Sequence, residues 1–408
     1  MYRRNIHVVV SQQPGIAGGA LGSPNRWRRL KDLYFNRREF RVKKSLLLLL
    51  LVLAAVTDGG AQKRIDVPGN LSNERAINLS AIAGEIRYVP LETKEECLLS
   101  EELQILWAAD YIFVGDQKTQ SFYRFGSDGK FLNTIGSRGN GPGEYPGAMF
   151  FYVDEKDEKF YVVSVPAQSL YEYTYNGQFL KKISLKASSW TIASLDNNIY
   201  HFNNQYNRIK REKNISELYM INKEGRILKQ VPTTVTSEKD DMLLMDLPFF
   251  YYYNSAIYYK NAVGETVYKL GPDLRMSPHY EIDCGSKSEH SPLDYRSPAK
   301  YAEKMGIRHL FENDDIILVT YYYKGELKYL LGNKKDWTFT NVTDAHRKAG
   351  FTEDLQGGAT FVPIAHIGSH RNCLVSVVQS EDFNDIKGII NKKLNDDDNP
   401  VVAIAIMK

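Results

Sequence analysis

The chain has 408 residues, of which 43% are hydrophobic, 25% charged and 12% aromatic, and this composition excludes a disordered or fibrous polypeptide. The net charge of +3 arises at one end, because residues 1–44 hold 11 lysines and arginines against two acids and the remainder is mildly acidic. A mildly acidic domain does not predict nucleic-acid binding. Three scattered cysteines exclude a disulfide scaffold; we expect three buried thiols, with one bridge and one free thiol as the alternative.

The first element in chain order is an apolar leader. Residues 42–62 read VKKSLLLLLLVLAAVTDGGAQ, in which two lysines precede an apolar run and Gly59 and Ala61 supply small side chains before a cleavage point. The run is too short for a membrane span, which needs about 20 apolar residues. We therefore expect a signal peptide over residues 42–61, cleaved near Ala61, and export to the periplasm, the cell envelope or the medium. Residues 1–41 are expected to be a wrongly assigned or disordered extension; the alternative is a basic cytoplasmic tail before an uncleaved anchor.

The next feature is an internal repeat. Three matching segments are centred on Gly129, Gly177 and Gly225, which are 48 residues apart in both steps. Each segment indicates an aromatic strand, a two-residue turn with glycine at positive φ, and a return strand that opens with an apolar pair. Further copies are expected at Asp273 and over Leu327–Phe339. A unit of this length, with about four short strands, predicts a propeller blade.

The repeat predicts the domain organisation. Residues 62–84 are expected to be an N-terminal linker, and residues 85–408 an all-β domain, a six-bladed β-propeller with four-stranded blades. Insertions are expected over Tyr206–Ser216 and Ser286–Met305. Because an open ring exposes strand edges that aggregate, we expect Glu85–Thr93 and Asn399–Lys408 to share one blade and close the ring.

One segment carries a family resemblance. SRGNGPGEY, over Ser137–Tyr145, directly follows the first repeat and resembles the glycine-rich linker of the NHL-like six-bladed propellers that are abundant in Bacteroidetes. The resemblance covers Glu85–Lys408. It implies the fold and an exported, envelope-associated or extracellular location, and it implies no particular activity.

The same glycine-rich segment supplies the first candidate binding residues. It lacks the lysine and the following helix of a phosphate loop, so it predicts a tight connection between blades. From this connection Arg138, Glu144 and Tyr145 are candidates to face the central channel and bind a ligand.

Two aromatic groups supply the other candidates. The groups at Phe249–Tyr253 and Tyr321–Tyr323 could stack on sugar rings, although alternate side chains of a strand must pack between blades. Tyr252 and Tyr322 are the ligand-binding candidates in these groups.

Metal sites are weakly indicated. His366 and His370, near Cys373, have a metal-like spacing, but a strand and a turn need not bring them together, so no metal or cofactor is expected. The acidic groups Asp154–Glu158, Glu312–Asp315 and Asp396–Asp398 lack the order of a calcium loop and predict solvated turns.

These patterns favour a non-enzymatic binding or scaffold module outside the cytoplasm. A ring of blades brings many loops to one rigid face, where a protein, peptide or glycan ligand is expected at one mouth of the channel. We expect a monomer that binds no nucleic acid and has no membrane span after signal removal. The alternative is a lyase or hydrolase with a metal or an acid/base pair in the channel, although no catalytic motif is visible.

Overall fold

A computed structural model describes residues 63–202, 216–232, 248–262, 264–288, 303–364, 371–390 and 393–408. The expected signal peptide and the extension before it lie outside the described residues, as do most of both expected insertions. Three strands come first in the chain: β1 (Lys63–Asp66), β2 (Glu74–Ala76) and β3 (Ala83–Pro90). The described residues form mostly strands, and these are arranged in six sheets.

The first three blades are antiparallel four-stranded sheets with the strands in chain order. Blade 1 contains β4 (Leu103–Ala108), β5 (Tyr111–Asp116), β6 (Ser121–Gly126) and β7 (Phe131–Thr134). Blade 2 contains β8 (Phe150–Asp154), β9 (Lys159–Ser164), β10 (Ser169–Thr174) and β11 (Phe179–Ser184). Blade 3 contains β12 (Ile192–Leu195), β13 (Asn198–Phe202), β14 (Ser216–Asn222) and β15 (Ile227–Pro232).

The next two blades each gain a fifth strand. Blade 4 contains β16 (Phe249–Tyr253), β17 (Ala256–Lys260), β18 (Thr266–Leu270) and β19 (Met276–Asp283), and β1 pairs parallel with β19. Blade 5 contains β20 (Met305–Glu312), β21 (Ile316–Tyr323), β22 (Glu326–Asn333) and β23 (Thr338–Thr343), and β2 pairs parallel with β23. The strands β1 and β2 therefore lie within the segment that was expected to be a linker. With four and three residues, β1 and β2 are too short to show an alternating pattern.

The predicted closure of the ring is confirmed in blade 6. Its middle strand, β25 (Val401–Met407), pairs antiparallel with β24 (Cys373–Val378) on one side and with β3 on the other. The Ile364 N–H donates to the carbonyl of Val375 at 2.9 Å, which puts the segment before β24 in the innermost position. A short helix, α1 (Phe383–Ile386), lies in the connection between β24 and β25. Five 3-10 turns complete the described elements: Pro68–Asn70, Leu79–Ala81, Glu95–Cys97, Gly285–Lys287 and Ser380–Asp382.

The repeated glycines lie between the third and fourth strands, but in a longer turn than predicted. Gly129, Gly177 and Gly225 have φ of +82°, +82° and +81°, whereas the residues before them are not at positive φ. Each glycine N–H donates to the carbonyl three residues earlier, and the strand register shifts beside the turn. This geometry is a type I turn with a glycine bulge. The predicted two-residue turn was wrong. Its favoured type I′ form needs positive φ at both central residues, and here only the glycine has it.

The core is divided among the joints between blades. Six apolar clusters of described residues each unite two consecutive blades, and the last joins blade 6 to blade 1. Representative pairs are Phe113 and Phe151, Val163 and Ile199, Tyr200 and Phe250, Tyr258 and Leu310, Leu318 and Ala403, and Val402 and Ile112. The three cysteines are buried free thiols, as expected. Each cluster therefore buries the facing apolar surfaces of two adjacent blades.

Candidate functional site

A cavity of about 290 Å³ lies where the first strands of blades 4 and 5 end. Blade 4 contributes Tyr251–Asn254, blade 5 contributes His309–Asp315, and blade 6 contributes Arg371–Cys373 and Lys408. The first strand of each blade lies nearest the axis, so the turns that follow these strands meet at one mouth of the ring. Three consecutive blades thus build one concave surface from segments that are far apart in sequence.

A buried carboxylate fixes the joint between blades 4 and 5 beneath this cavity. The side chain of Glu312 is fully buried, and it accepts hydrogen bonds from Tyr280 Oη at 2.7 Å, Lys334 Nζ at 2.8 Å and Tyr251 Oη at 2.9 Å. Its closer oxygen lies 3.1 Å from His279 Nε2. Although burial alone raises the pKa of a carboxyl, the donors from His279, Lys334 and Tyr280 lower the pKa of Glu312 below its ordinary value. Glu312 is therefore an ionised structural group with its acceptor sites occupied.

The acidic turn after β20 carries the polar wall of the cavity. Asp314 accepts a hydrogen bond from Tyr253 Oη at 2.9 Å, and Lys334 Nζ lies 4.1 Å from the centroid of the Tyr253 ring. These contacts hold Tyr253 and Asp314 in fixed positions. Asp315 is exposed beside them, and its carboxylate takes part in no hydrogen bond or ion pair of the described residues. Asp315 is the acid at this wall with the most freedom to meet a ligand.

Arg371 connects the cavity to the far side of the ring. Its guanidinium donates to the carbonyl of Ala109 at 2.7 Å, lies 3.4 Å from Glu155 and stands 4.5 Å from the centroid of the Trp107 ring. Glu155 also accepts the Ala109 N–H at 2.8 Å. Arg371 thus ties blade 6 to blades 1 and 2 and supplies a positive charge at the edge of the cavity.

Tyr252 and His309 complete the lining with neutral groups. The Tyr252 hydroxyl lies 2.9 Å from the Tyr152 hydroxyl and accepts the Ser194 N–H at 2.8 Å, so the side chain reaches from blade 4 to blades 2 and 3. Burial raises the pKa of Tyr252 and lowers that of His309 to about 4. Both side chains are therefore uncharged near neutral pH.

The candidates predicted from the glycine-rich segment lie outside this cavity. Tyr145 is fully buried, and its hydroxyl donates to the carbonyl of Gln120 at 3.0 Å. Glu144 turns back into its own loop and accepts the Gly141 N–H at 2.8 Å, while Arg138 is exposed. A Cβ on Gly143 would lie 3.0 Å from Phe179, on the outermost strand of blade 2. Gly143 of this loop thus packs beside an outer strand, and Arg138, Glu144 and Tyr145 do not line the cavity between blades 4, 5 and 6.

Tyr322 does not join the cavity. Tyr322 is 40% exposed, with the Arg308 guanidinium 5.0 Å from its ring centroid. It pairs with Gly306 near the beginning of β20, whereas the cavity is lined by the end of that strand. His366 and His370 lie outside the described residues. Within the described ranges, no group of three or more His, Cys, Asp or Glu side chains could hold a metal ion.

The cavity unites three motifs that the sequence presented separately. The aromatic group at Phe249–Tyr253 supplies Tyr252 and Tyr253, the acidic group Glu312–Asp315 supplies the polar wall, and Arg371 precedes Cys373. Sequence reasoning missed Asn254, Asp315 and Arg371 as site residues. The available signal was positional, because the first two lie in turns that follow the first strand of a blade.

Comparisons with known proteins show the family and the fold. The model of a domain of unknown function, DUF4934, matches residues 62–405. The chain is similar to a "Putative exported protein" of Bacteroides fragilis, with 18% identity and a TM-score of 0.64 over 85% of this chain and 99% of that one. It is also similar to a DUF4221 family member of Bacteroides vulgatus, with 11% identity and a TM-score of 0.50 over 80% and 97% of the two chains. No curated protein matches. In the described ranges, no helix has the length and apolar character to cross a bilayer.

Proposed function

Because the chain belongs to the DUF4934 family, whose description assigns no activity, we propose its function from its own site. The protein is an exported, non-enzymatic binding module that holds a short glycan in the cavity between blades 4, 5 and 6. The observation that carries this proposal is the convergence of carboxylate, amide and tyrosine side chains from three blades on one concave surface.

The polar groups of the lining suit a ligand rich in hydroxyls. Asp314 and Asp315 offer acceptors, and Asn254 and Asn372 each offer a donor and an acceptor. A sugar presents neighbouring hydroxyls that both donate and accept, so such a set can hold several of them at once. The Tyr253 ring adds an apolar surface at the same wall.

The size of the cavity limits the ligand. Pockets for small molecules commonly measure about 300–1,000 Å³, so 290 Å³ suits about one or two sugar rings. A longer glycan would extend into solvent from this mouth. The fixed positions of Tyr253 and Asp314 favour a preformed site, which reduces the entropy lost on binding.

The start of the family match supports the export part of the proposal. The matched region begins at residue 62, directly after the cleavage point expected near Ala61, so the matched family domain would be the mature protein. The location remains periplasm, cell envelope or medium. We also propose that the chain is related to the NHL-like propellers, on the basis of the segment Ser137–Tyr145.

Calorimetric titration of the exported protein with a panel of mono- and disaccharides tests the proposal. We expect saturable binding with a Kd between about 1 μM and 1 mM. Asp315→Ala should weaken it at least about tenfold, because a hydrogen bond to a charged group contributes about 1.5–3 kcal/mol.

The matched control is Asp110→Ala. Asp110 is an exposed acid in the corresponding turn of blade 1, at the same mouth, and it does not line the cavity. The Asp110→Ala variant should leave saccharide binding unchanged. The proposal fails if no saccharide saturates, or if both variants weaken binding equally. Binding of short peptides in the cavity in place of saccharides would contradict the glycan assignment.

A further inference from the structure

The outer strands of blades 1–5 fall into two groups. In blades 4 and 5 the outermost blade strands, β19 and β23, are covered by β1 and β2. In blades 1, 2 and 3 the sheets end at β7, β11 and β15, which have no strand on their outer side among the described residues. An uncovered edge presents unpaired N–H and C=O groups to solvent.

An exposed leucine marks each of β7, β11 and β15, whereas β3, the outer strand of blade 6, contains no leucine. Leu132, Leu180 and Leu228 lie three residues after the turn residue with positive φ and are 44%, 39% and 37% exposed. The covered strands carry polar residues, Ser277 and Thr340, three residues after the turn residues Leu274 and Trp337. In blades 1–5, apolar exposure at this position therefore accompanies the absence of a covering strand.

The two strand additions within the chain show the chemistry of such an edge. Arg64 of β1 forms an ion pair with Asp283 of β19, and Glu74 of β2 forms one with Lys328 of blade 5 at 3.0 Å. Each added strand carries a charge opposite to that of the blade residue it meets. Ile65 of β1 is fully buried against blade 4, so an apolar anchor accompanies the ion pair.

The uncovered edges of blades 2 and 3 are basic. Lys182 and Lys186 lie on or just after β11, and Arg226 and Lys229 lie just before and on β15. None of the four forms an ion pair with a carboxylate in the described part of the chain. Neither strand contains an acid. A second copy of the chain would meet these edges with like charges, whereas an acidic segment would be attracted.

We propose that β11 and β15 each bind an extended segment of a partner protein that alternates apolar and acidic residues, adding it as a fifth strand. Backbone hydrogen bonds supply the pairing, as they do for β1 and β2. Leu180 and Leu228 contact the apolar side chains of the segment, and the basic residues select its acids. The same lysines prevent edge-to-edge association of two copies. This docking surface is separate from the cavity and does not depend on its ligand.

A defined peptide tests the proposal. The probe is a labelled peptide of about eight residues that alternates isoleucine or valine with glutamate or aspartate. Fluorescence anisotropy with the exported protein should give a saturable Kd below about 1 mM. The same peptide with alternate backbone nitrogens methylated cannot donate to a strand edge and should not bind. The double variant Lys182→Glu/Lys229→Glu should weaken binding at least about tenfold.

Variants of exposed residues separate binding at the uncovered strands from a loss of folding. The double variant Leu180→Ser/Leu228→Ser gives the uncovered strands the polar character of the covered ones and should also weaken binding, with an unchanged melting temperature. Ser277→Ala, on a covered strand, and Asp315→Ala, in the cavity, should leave peptide binding unchanged. Equal binding of the methylated peptide, no saturation by about 1 mM, or an equal effect of Ser277→Ala would overturn the proposal. Concentration-dependent dimerisation through β11 would assign the edge to a second copy and overturn it as well.

Discussion

Blades 1–3 and blades 4–6 solve the same packing problem differently. In the first half, Gly129, Gly177 and Gly225 occupy the turn before the outer strand, and each is pressed against the preceding blade. A Cβ there would lie 2.1 Å from the carbonyl oxygen of Pro90, 2.6 Å from that of Thr134 and 3.1 Å from that of Ser184. Glycine is thus needed for both its positive φ and its missing side chain.

The second half uses larger residues at the same turn. Leu274 and Trp337 have φ of +60° and +59°, a conformation that costs about 1–2 kcal/mol for a residue with a Cβ. Leu274 packs in the core between blades 3 and 4, and the Trp337 indole N–H donates to the carbonyl of Arg64 in β1 at 2.9 Å. The difference teaches that the second half uses these side chains for packing, Leu274 at the joint with blade 3 and Trp337 against the added strand β1. The cavity lies in the same half.

The largest expected effect comes from opening the ring where the two halves meet. Deleting Asn399–Lys408 removes the middle strand of blade 6 and leaves β3 and β24 without their shared partner. We expect both halves to lose stability together, by an amount comparable with the whole stability of a domain, about 5–15 kcal/mol. Thermal melting followed by circular dichroism measures this.

A milder variant gives the same test in a protein that folds. Ile404→Ala in β25, a buried residue, should lower the free energy of unfolding by about 2–5 kcal/mol and keep a single transition. If the truncated protein melts at the original temperature, or if one half melts alone, the halves are not joined through blade 6.

A smaller effect should appear at the joint between blades 4 and 5. Glu312→Ala leaves Lys334 and two tyrosine hydroxyls without their buried acceptor and should destabilise the protein by about 3–5 kcal/mol. Tyr280→Phe removes one donor and should cost about 0.5–1.5 kcal/mol. Urea denaturation at neutral pH measures both. Equal losses for the two variants would contradict a central role for the carboxylate.

The same residue predicts an acid dependence. Because the pKa of Glu312 is lower in the folded than in the unfolded protein, its contribution is present above the unfolded value of about 4.3 and is lost as the pH falls through the lowered pKa. Urea midpoints should therefore fall more steeply below about pH 4 in the parent protein than in Glu312→Gln. Parallel curves would contradict the assignment.

The smallest effect separates the two roles of a turn glycine. Gly177 and Gly325 both have φ near +80°, but a Cβ on Gly325 meets nothing within 4 Å. Gly325→Ala should cost about 1–2 kcal/mol for the backbone alone. Gly177→Ala should cost at least about 1 kcal/mol more, because its Cβ meets the outer strand of blade 1. Thermal denaturation of both variants measures the two losses of stability. Equal losses would show that the contact of Gly177 with blade 1 does not matter.

The regular half of the ring was predictable from the sequence, and so was its closure. The spacing of Gly129, Gly177 and Gly225 and the terminal strand at Asn399–Lys408 are local patterns that survive in the structure. The strands β1 and β2 were not predictable, because their few residues pair with blades more than 200 positions away. Glu312 was read as part of a solvated acidic turn, since its burial depends on donors from blade 4 that adjacent residues do not reveal.

The pairing of β3 with β25 also constrains the order of assembly. Residues 83–90 pair with residues 401–407, so this part of their sheet cannot form until the chain has been synthesised to its last described strand. Contacts between such distant positions slow folding, because the intervening loop must close first. During that interval the unpaired flank of β3 is accessible to proteases and to wrong strand partners. Pairing of β25 with β3 is therefore the step that protects this edge from proteolysis and from wrong strand pairing.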